Sequence, residues 1–485
     1  MSSYTELMTA GRDHEKRATE NPNVELVDEM EAFGKAKECY EKALAAKPDD
    51  PRALYHIARC ELVLSAVDDA SSDDDDVDGT ELERVAAVDR AIEKMRKALA
   101  GKPDFGECMF SLAEALIARA DLNTELMEEG ISITHGNVND DDDADELVRK
   151  EAEKDLLEAC DLFEKALPLF EPMVGKTNDD GDEVTASTLS NTLIGHAEAL
   201  SSRAYLQEDS AKFEPLFDEA ISKIAKAVEI NPERKSELLQ EWAGVLEARA
   251  DKRVNPKHDA PVHEQTKPAD YTEALAKLDE AFQADGKNAG ALFDKAQLYM
   301  SLAHQNLMHA AVSMGDDEDK AEDAQEEYSE EVQKNVWDYF NQAKTTMEAA
   351  VEIEPETSTF TERLGDLCFT MGRLDVEIAR ASHAQHLADA EKWFRKTVAL
   401  DEDDASAVAR LAQAIFFLQG GEDGDGSRNK EVDELLEKYR ELGGDLEDLM
   451  DDEETFEEEY VTRVSTLFPD QGWEDGSDSD DDDDE

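Results

Sequence analysis

A helix-spaced triplet recurs seven times along these 485 residues: an alanine, a large apolar residue four positions on, and a small residue seven positions on. The alanines are Ala36, Ala91, Ala159, Ala220, Ala274, Ala343 and Ala390. Their large partners are Tyr40, Met95, Phe163, Ile224, Leu278, Met347 and Phe394. The small partners are Ala43, Ala98, Ala166, Ala227, Ala281, Ala350 and, as the one exception, Thr397. Proline stands twelve positions after the alanine in four copies, at Pro48, Pro103, Pro232 and Pro355. A spacing of four and seven puts all three residues on one helix face. The small members let a neighbouring helix come close and the large one fills the groove between them. The proline stops the helix and turns the chain.

A second packing helix follows each stop. Leu54, Ile57 and Ala58 come after Pro48, and Met109, Leu112 and Ala113 after Pro103. Leu239, Trp242 and Ala243 come after Pro232, and Leu364 and Gly365 after Pro355; the last copy has Leu411 and Ala412. In its small, large, small and proline positions the chain resembles the tetratricopeptide-repeat family. The resemblance covers roughly residues 1–420. It implies an all-α, tetratricopeptide-like α-solenoid that binds other proteins rather than a catalytic pocket. The family's period is about 34 residues, whereas successive alanines here lie 55, 68, 61, 54, 69 and 47 residues apart. The surplus falls mostly between the first helix of a pair and the second, so longer helices or acidic loops are expected there.

The expected architecture is about seven helix pairs with long acidic inserts over residues 1–420, capping helices over 421–468, and a disordered acidic tail over 469–485. No sheet is expected. Residues 1–20 supply a first helix around Tyr4, Leu7 and Met8. The inserts are Asp68 to Asp76, Asn139 to Glu146, Asn178 to Glu183 and Asp316 to Glu331. Like-charge runs of this kind resist compaction. Segment 251–270, polar and proline-containing, reads as a loop. Val432, Leu435, Leu436, Tyr439 and Leu442 make 430–442 an amphipathic helix that caps the last repeat, and 453–468 is a further candidate helix.

Net charge is −71, and residues 421–485 alone hold 28 acidic and 5 basic residues. Such a field repels nucleic acid and anionic membranes and attracts basic proteins. Halophilic adaptation gives similar acidity but usually few lysines, and Lys35, Lys37, Lys42 and Lys47 argue against it. The five cysteines, Cys39, Cys60, Cys108, Cys160 and Cys368, are odd in number and irregular in spacing, as expected of reduced core residues in an intracellular protein. No secretion signal, membrane span or basic import signal is recognisable, which leaves nucleus and cytoplasm as the expected locations.

No phosphate loop, nucleophile elbow or zinc-protease signature is present. The chain is therefore read as non-enzymatic and without cofactors. Calcium loops fail on register: with Gly426 or Gly181 in the obligatory sixth position, the first ligand position falls on Gly421 or Lys176. His383 and His386, with Asp389 near, read as exposed helix histidines rather than metal ligands, and His304 and His309 do not share a face well. In the family, grooves are lined by the first helix of each pair. By that resemblance the candidate lining residues are Tyr55, Arg59, Phe110, Glu114, Phe293, Gln297, Glu362 and Gln413. The Lys, Asn and Arg clamp with which some family members hold acidic chaperone tails is missing at these positions. Asp73, Asp74, Asp75 and Asp76, with Asp480, Asp481, Asp482, Asp483 and Asp484, are candidates for screening a basic client. Ser71, Ser477 and Ser479, each with Asp three residues on, are candidate sites for acid-directed kinases.

The leading expectation is an acidic adaptor or escort for basic proteins of histone or ribosomal-protein type, with protein partners only and an oligomeric state that the sequence leaves open. The layout of long, irregular pairs is also similar to the fungal enhancer-of-translation-termination and Nro-type nuclear adaptor family, which implies a regulatory role in translation termination or nuclear transport. An accessory subunit of an enzyme complex is the third reading.

Overall fold

The computed structural model describes residues 3–19, 26–65, 77–128, 141–178, 183–254, 269–314, 330–374, 381–419 and 427–444, with Tyr460 and Val464. Sixteen α-helices make up nearly all of it. They are α1 (Tyr4–Thr19), α2 (Leu26–Ala46), α3 (Pro51–Ser65), α4 (Val77–Gly101), α5 (Gly106–Glu128), α6 (Asp141–Phe170), α7 (Ala186–Tyr205) and α8 (Ser210–Ile230). There follow α9 (Lys235–Val254), α10 (Ala269–Ala284), α11 (Ala289–Met314), α12 (Glu330–Ile353), α13 (Ser358–Arg373), α14 (His383–Leu400), α15 (Ala405–Leu418) and α16 (Asn429–Glu441).

Contacts divide the chain into two compact units. One holds Met1–Asp259 with Lys267–Ala281, and the other Ala260–Thr266 with Phe282–Glu485. In both, helices pack on their chain neighbours in solenoid-like order. The first unit pairs α1 with α2, α3 with α4, α5 with α6 and α7 with α8. The second pairs α11 with α12, α13 with α14 and α15 with α16.

The triplets lie on α2, α4, α6, α8, α10, α12 and α14, and every one of their side chains is at most 2 % exposed. Burying each large member contributes about 1.5–3 kcal/mol. The small positions matter equally, because they set the distance between helices. Gly195 of α7 lies so close to Phe163 that a Cβ there would fall 2.7 Å from the ring, and Gly365 of α13 meets Phe394 at the same distance. Thr397 fits its small position by a different device. Its hydroxyl lies 2.9 Å from that of Thr361, so that one donates to the other, and each also lies within reach of a backbone carbonyl of its own helix, Trp393 and Ser358 respectively.

Six of the seven connections between pairs contain four residues: 47–50, 102–105, 231–234, 285–288, 354–357 and 401–404. All four repeat prolines lie in them. Three of the turns end on a residue that caps the next helix: Asp50 Oδ1 accepts from Ala53, Asn288 Oδ1 from Ala291 and Asp404 Oδ1 from Ala407. The seventh connection, between α6 and α7, is longer. It folds into a short hairpin of β1 (Lys176–Thr177) and β2 (Glu183–Val184), antiparallel, with Lys176 opposite Val184. The expectation of no sheet is thus corrected. The left-handed Gly175 (φ 75°) starts the hairpin, and Asn178 ties it to α5 by donating to Glu107.

Two acidic or polar segments read as loops are partly helical. Residues 141–146 form the first turns of α6. Residues 251–254 end α9, where Arg253 engages Glu214 and Asp270. Of the other inserts, Asp68 to Asp76 lies outside the described residues, as does the run from Asp316 up to residue 329. The tail beyond Val464 also lies outside them. The capping helix is α16: Val432, Leu436 and Tyr439 are buried, with Tyr460 and Val464, in the core that α15 shares.

Candidate protein-binding face

In the first unit the opening helices of consecutive pairs carry a run of carboxylates. Glu114 and Asp121 stand on α5, Glu198 on α7 and Glu241 on α9, with Arg59 of α3 at one end. They lie close enough to perturb one another. All four carboxylates are exposed to solvent, yet protein crowds round them from neighbouring helices and displaces part of their hydration. This partial desolvation pushes Glu114 up to about 7, helped by repulsion from Glu198 and partly offset by Arg59. It pushes Asp121 up to about 6, with Glu125 adding to the effect. Glu198 is raised by the same desolvation and by Asp121 and Glu241. None of Glu114, Asp121 and Glu198 forms an ion pair or hydrogen bond among the described residues. Asp121 also opens onto a hollow of about 250 Å³ between α5, α6 and α7, whose walls include Glu125, Leu156 and Tyr205.

Arg59, half-buried, is the one cation among the described residues that reaches Glu114, and it is shared. It stands over the Tyr55 ring, 5.7 Å from its centre, and faces Glu15. Glu15 of α1 is itself buried in a polar knot. Tyr40 donates to it at 2.9 Å, His56 Nδ1 lies 3.3 Å away, and Cys60 Sγ lies 3.8 Å away. Burial alone raises the Glu15 carboxyl, but His56, Arg59 and Tyr40 together hold it below its ordinary value. Arg59 therefore has its charge engaged inside the unit.

The residues singled out from sequence occupy different surroundings. Tyr55 is buried, edge-on to Phe105 at 4.9 Å, because α3 is covered along the whole run from Ala53 to Ala58. Phe110 is half-buried against Phe163 at 5.8 Å. In the second unit Phe293 stacks on Phe360 at 4.9 Å, and Gln297 carries a buried side-chain oxygen without a partner among the described residues. Glu362 is raised by burial and by Asp366 and Asp404, with Arg363 and Arg410 opposing. Gln413 is 0 % exposed, since α15 is buried at every position from Leu411 to Phe417. Ser71, Asp73 to Asp76, Ser477, Ser479 and Asp480 to Asp484 lie outside the described residues.

His386 is buried rather than exposed. Lys344 Nζ lies 3.4 Å from its Nδ1 and 2.5 Å from Asp389, so an ammonium already holds the cation position beside it. All five cysteines are free thiols, four of them buried. No helix among the described residues is long and apolar enough to cross a membrane. Sequence reasoning missed Asp121, Glu198 and Glu241. Phe163 on α6 has no proline twelve positions beyond its alanine, so the start of α7 carries no repeat signal.

Comparison with known proteins bears on the fold. A family model described as tetratricopeptide repeat matches residues 29–73. No curated protein matches the chain significantly in sequence. Among solved structures, a thermophilic TPR protein of Thermus thermophilus is 15 % identical with a TM-score of 0.31, over 60 % of this chain and 98 % of its own. The S. pombe nuclear import adaptor Nro1 is 11 % identical with a TM-score of 0.33, over 82 % and 95 %. Yeast Tom70 is 15 % identical with a TM-score of 0.19, over 96 % and 95 %. With a repeat matched at residues 29–73 and the same buried triplet on seven helices, the chain is a tetratricopeptide-repeat-like helical protein.

Proposed function

We propose that this is a non-catalytic binding protein whose first unit takes a Lys- or Arg-rich segment of a partner along the α5–α7–α9 face. The observation that carries the reading is the set Glu114, Asp121 and Glu198. These carboxylates are exposed at the surface, crowded by neighbouring helices, mutually repelling and without a cation of their own among the described residues. Holding uncompensated acids together costs stability, and a basic segment relieves that cost on binding. The hollow beside Asp121 suits one long basic side chain, with Leu156 against its stem and carboxylates at its head. The net charge of −71 draws such a partner in from a distance and makes capture fastest at low salt. Five free cysteines suit a reducing, intracellular compartment.

The test is fluorescence anisotropy of a labelled Lys/Arg-rich peptide against the full chain and against Glu114→Gln/Asp121→Asn/Glu198→Gln. The triple variant is expected to bind about tenfold or more weakly, with a shallower salt dependence. Equal affinity in the two proteins refutes the reading and moves any basic-client binding to the acidic segments outside this face.

A further inference from the structure

Three consecutive helices of the first unit bring Glu164 (α6), His196 (α7) and Glu219 (α8) together, with one ligand atom from each within 4.8 Å of the others. The two glutamates are exposed and the histidine is 1 % exposed. The imidazole is held in place by the Phe163 ring, stacked at 6.1 Å and 20°. Its Nδ1 is buried and has no hydrogen-bond partner among the described residues, an uncompensated loss for a buried polar atom. A cation already lies at this place. Lys223 Nζ is 3.1 Å from Glu219 and 3.9 Å from Glu164, on a side chain that is 20 % exposed and one helical turn from Glu219.

We propose that Glu164, His196 and Glu219 form a binding site for a divalent transition ion of the zinc class, and that Lys223 is its displaceable internal competitor. One imidazole and two carboxylates make a mixed nitrogen and oxygen set that suits zinc. Calcium and magnesium favour all-oxygen shells. Tetrahedral zinc needs ligand atoms about 3.3 Å apart. Both glutamates are exposed, and once Lys223 is displaced they can turn inward, so the buried histidine stays fixed and the carboxylates close on the ion. The two carboxylate charges then balance the ion while the Lys223 ammonium swings into water. Three protein ligands leave a fourth position open for water or for a side chain of a partner.

The full chain, stripped by chelator, is titrated with Zn2+ against a chromophoric competitor in excess Mg2+, which occupies the acidic runs. Co2+ then serves as a spectroscopic probe of tetrahedral coordination. The wild type is expected to take up one Zn2+ that Mg2+ does not displace. Glu164→Gln and Glu219→Gln are each expected to weaken it by about tenfold or more. Lys223→Met, which removes the competitor, is expected to tighten it by a similar factor. Both glutamates are exposed and Lys223 is partly so, and none of the three belongs to the apolar core, so the test does not depend on a core substitution surviving. Unchanged zinc affinity in both glutamine variants overturns the proposal. So does weaker binding in Lys223→Met, which would make the lysine and glutamates a plain ion pair.

Discussion

Gly195→Ala tests the close approach of helices on which the fold depends. In the abstract this substitution is favourable, since alanine in a helix interior is better than glycine by about 0.5–1 kcal/mol. At this position, however, the new Cβ falls 2.7 Å from Phe163 Cζ and 3.0 Å from Cε1. The ring has nowhere to go: it is 0 % exposed, edge-on to Phe110 and stacked on His196. Overpacking of a filled core costs about 1–3 kcal/mol, so the net effect is a loss of about 0.5–2 kcal/mol. Gly244 of α9 provides a control in the same unit, because its Cβ would meet nothing within 4 Å. Gly244→Ala should stabilise by about 0.5–1 kcal/mol. Phe163→Leu removes the obstructing ring edge, so on that background Gly195→Ala should lose most of its penalty, a coupling of about 1–3 kcal/mol. Urea denaturation followed by far-ultraviolet circular dichroism reads all four free energies. If Gly195→Ala stabilises as much as Gly244→Ala does, helix spacing is not set by this contact and the packing argument fails.

The carboxylate face carries a pH signature. Glu114 titrates near 7 in the fold against 4.5 as a free side chain, so the native state holds a proton that the unfolded chain releases, and stability falls as pH rises through that window. Glu114→Gln should flatten the fall and be more stable than wild type above pH 7, by less than about 1 kcal/mol because water reaches the carboxylate, as thermal melts across pH will show. The buried Asp270 holds Arg249 at 2.6 Å and also pairs with Arg253. Asp270→Ala should therefore cost about 3–5 kcal/mol, whereas loss of the more exposed Arg253 should cost about 1 kcal/mol or less; similar losses would show that burial of this pair is unimportant. Thr397→Ala should cost about 1 kcal/mol by chemical denaturation, and adding Thr361→Ala should cost little more, because the two hydroxyls serve each other.

The sequence was most informative where packing is periodic. A spacing of four and seven has one geometric meaning on a helix, so Ala36, Tyr40 and Ala43 and their six counterparts all lie in the core. The four-residue turns were legible only where proline marked them, and residues 285–288 and 401–404 do the same work without one. What sequence did not reveal depends on neighbours. Tyr55 resembles a groove residue until α3 is seen to be covered along several successive positions. Gln413 is polar by type, yet it lies at 0 % exposure inside an apolar helix. Glu198 and Glu241 could not be distinguished among so many acids, because their distinction is proximity across helices, of Glu198 to Asp121 and of Glu241 to Glu198, rather than spacing along one.

The two kinds of connection in the repeat differ in freedom. Turns between pairs are held at four residues in six of seven places, while the links inside pairs range from four residues, at 206–209, to fifteen, at 315–329. In a stack of helices that run back and forth, the two kinds emerge on opposite rims of each unit. One rim therefore works as a ruler that keeps the triplets in step, and the other as a margin on which sequence can be written without disturbing the stack. In sequence, the acidic runs at 68–76 and 316–329 fall within links of this second kind. Such a layout lets charge and length vary in the links within pairs while the buried pattern, and with it the fold, stays unchanged.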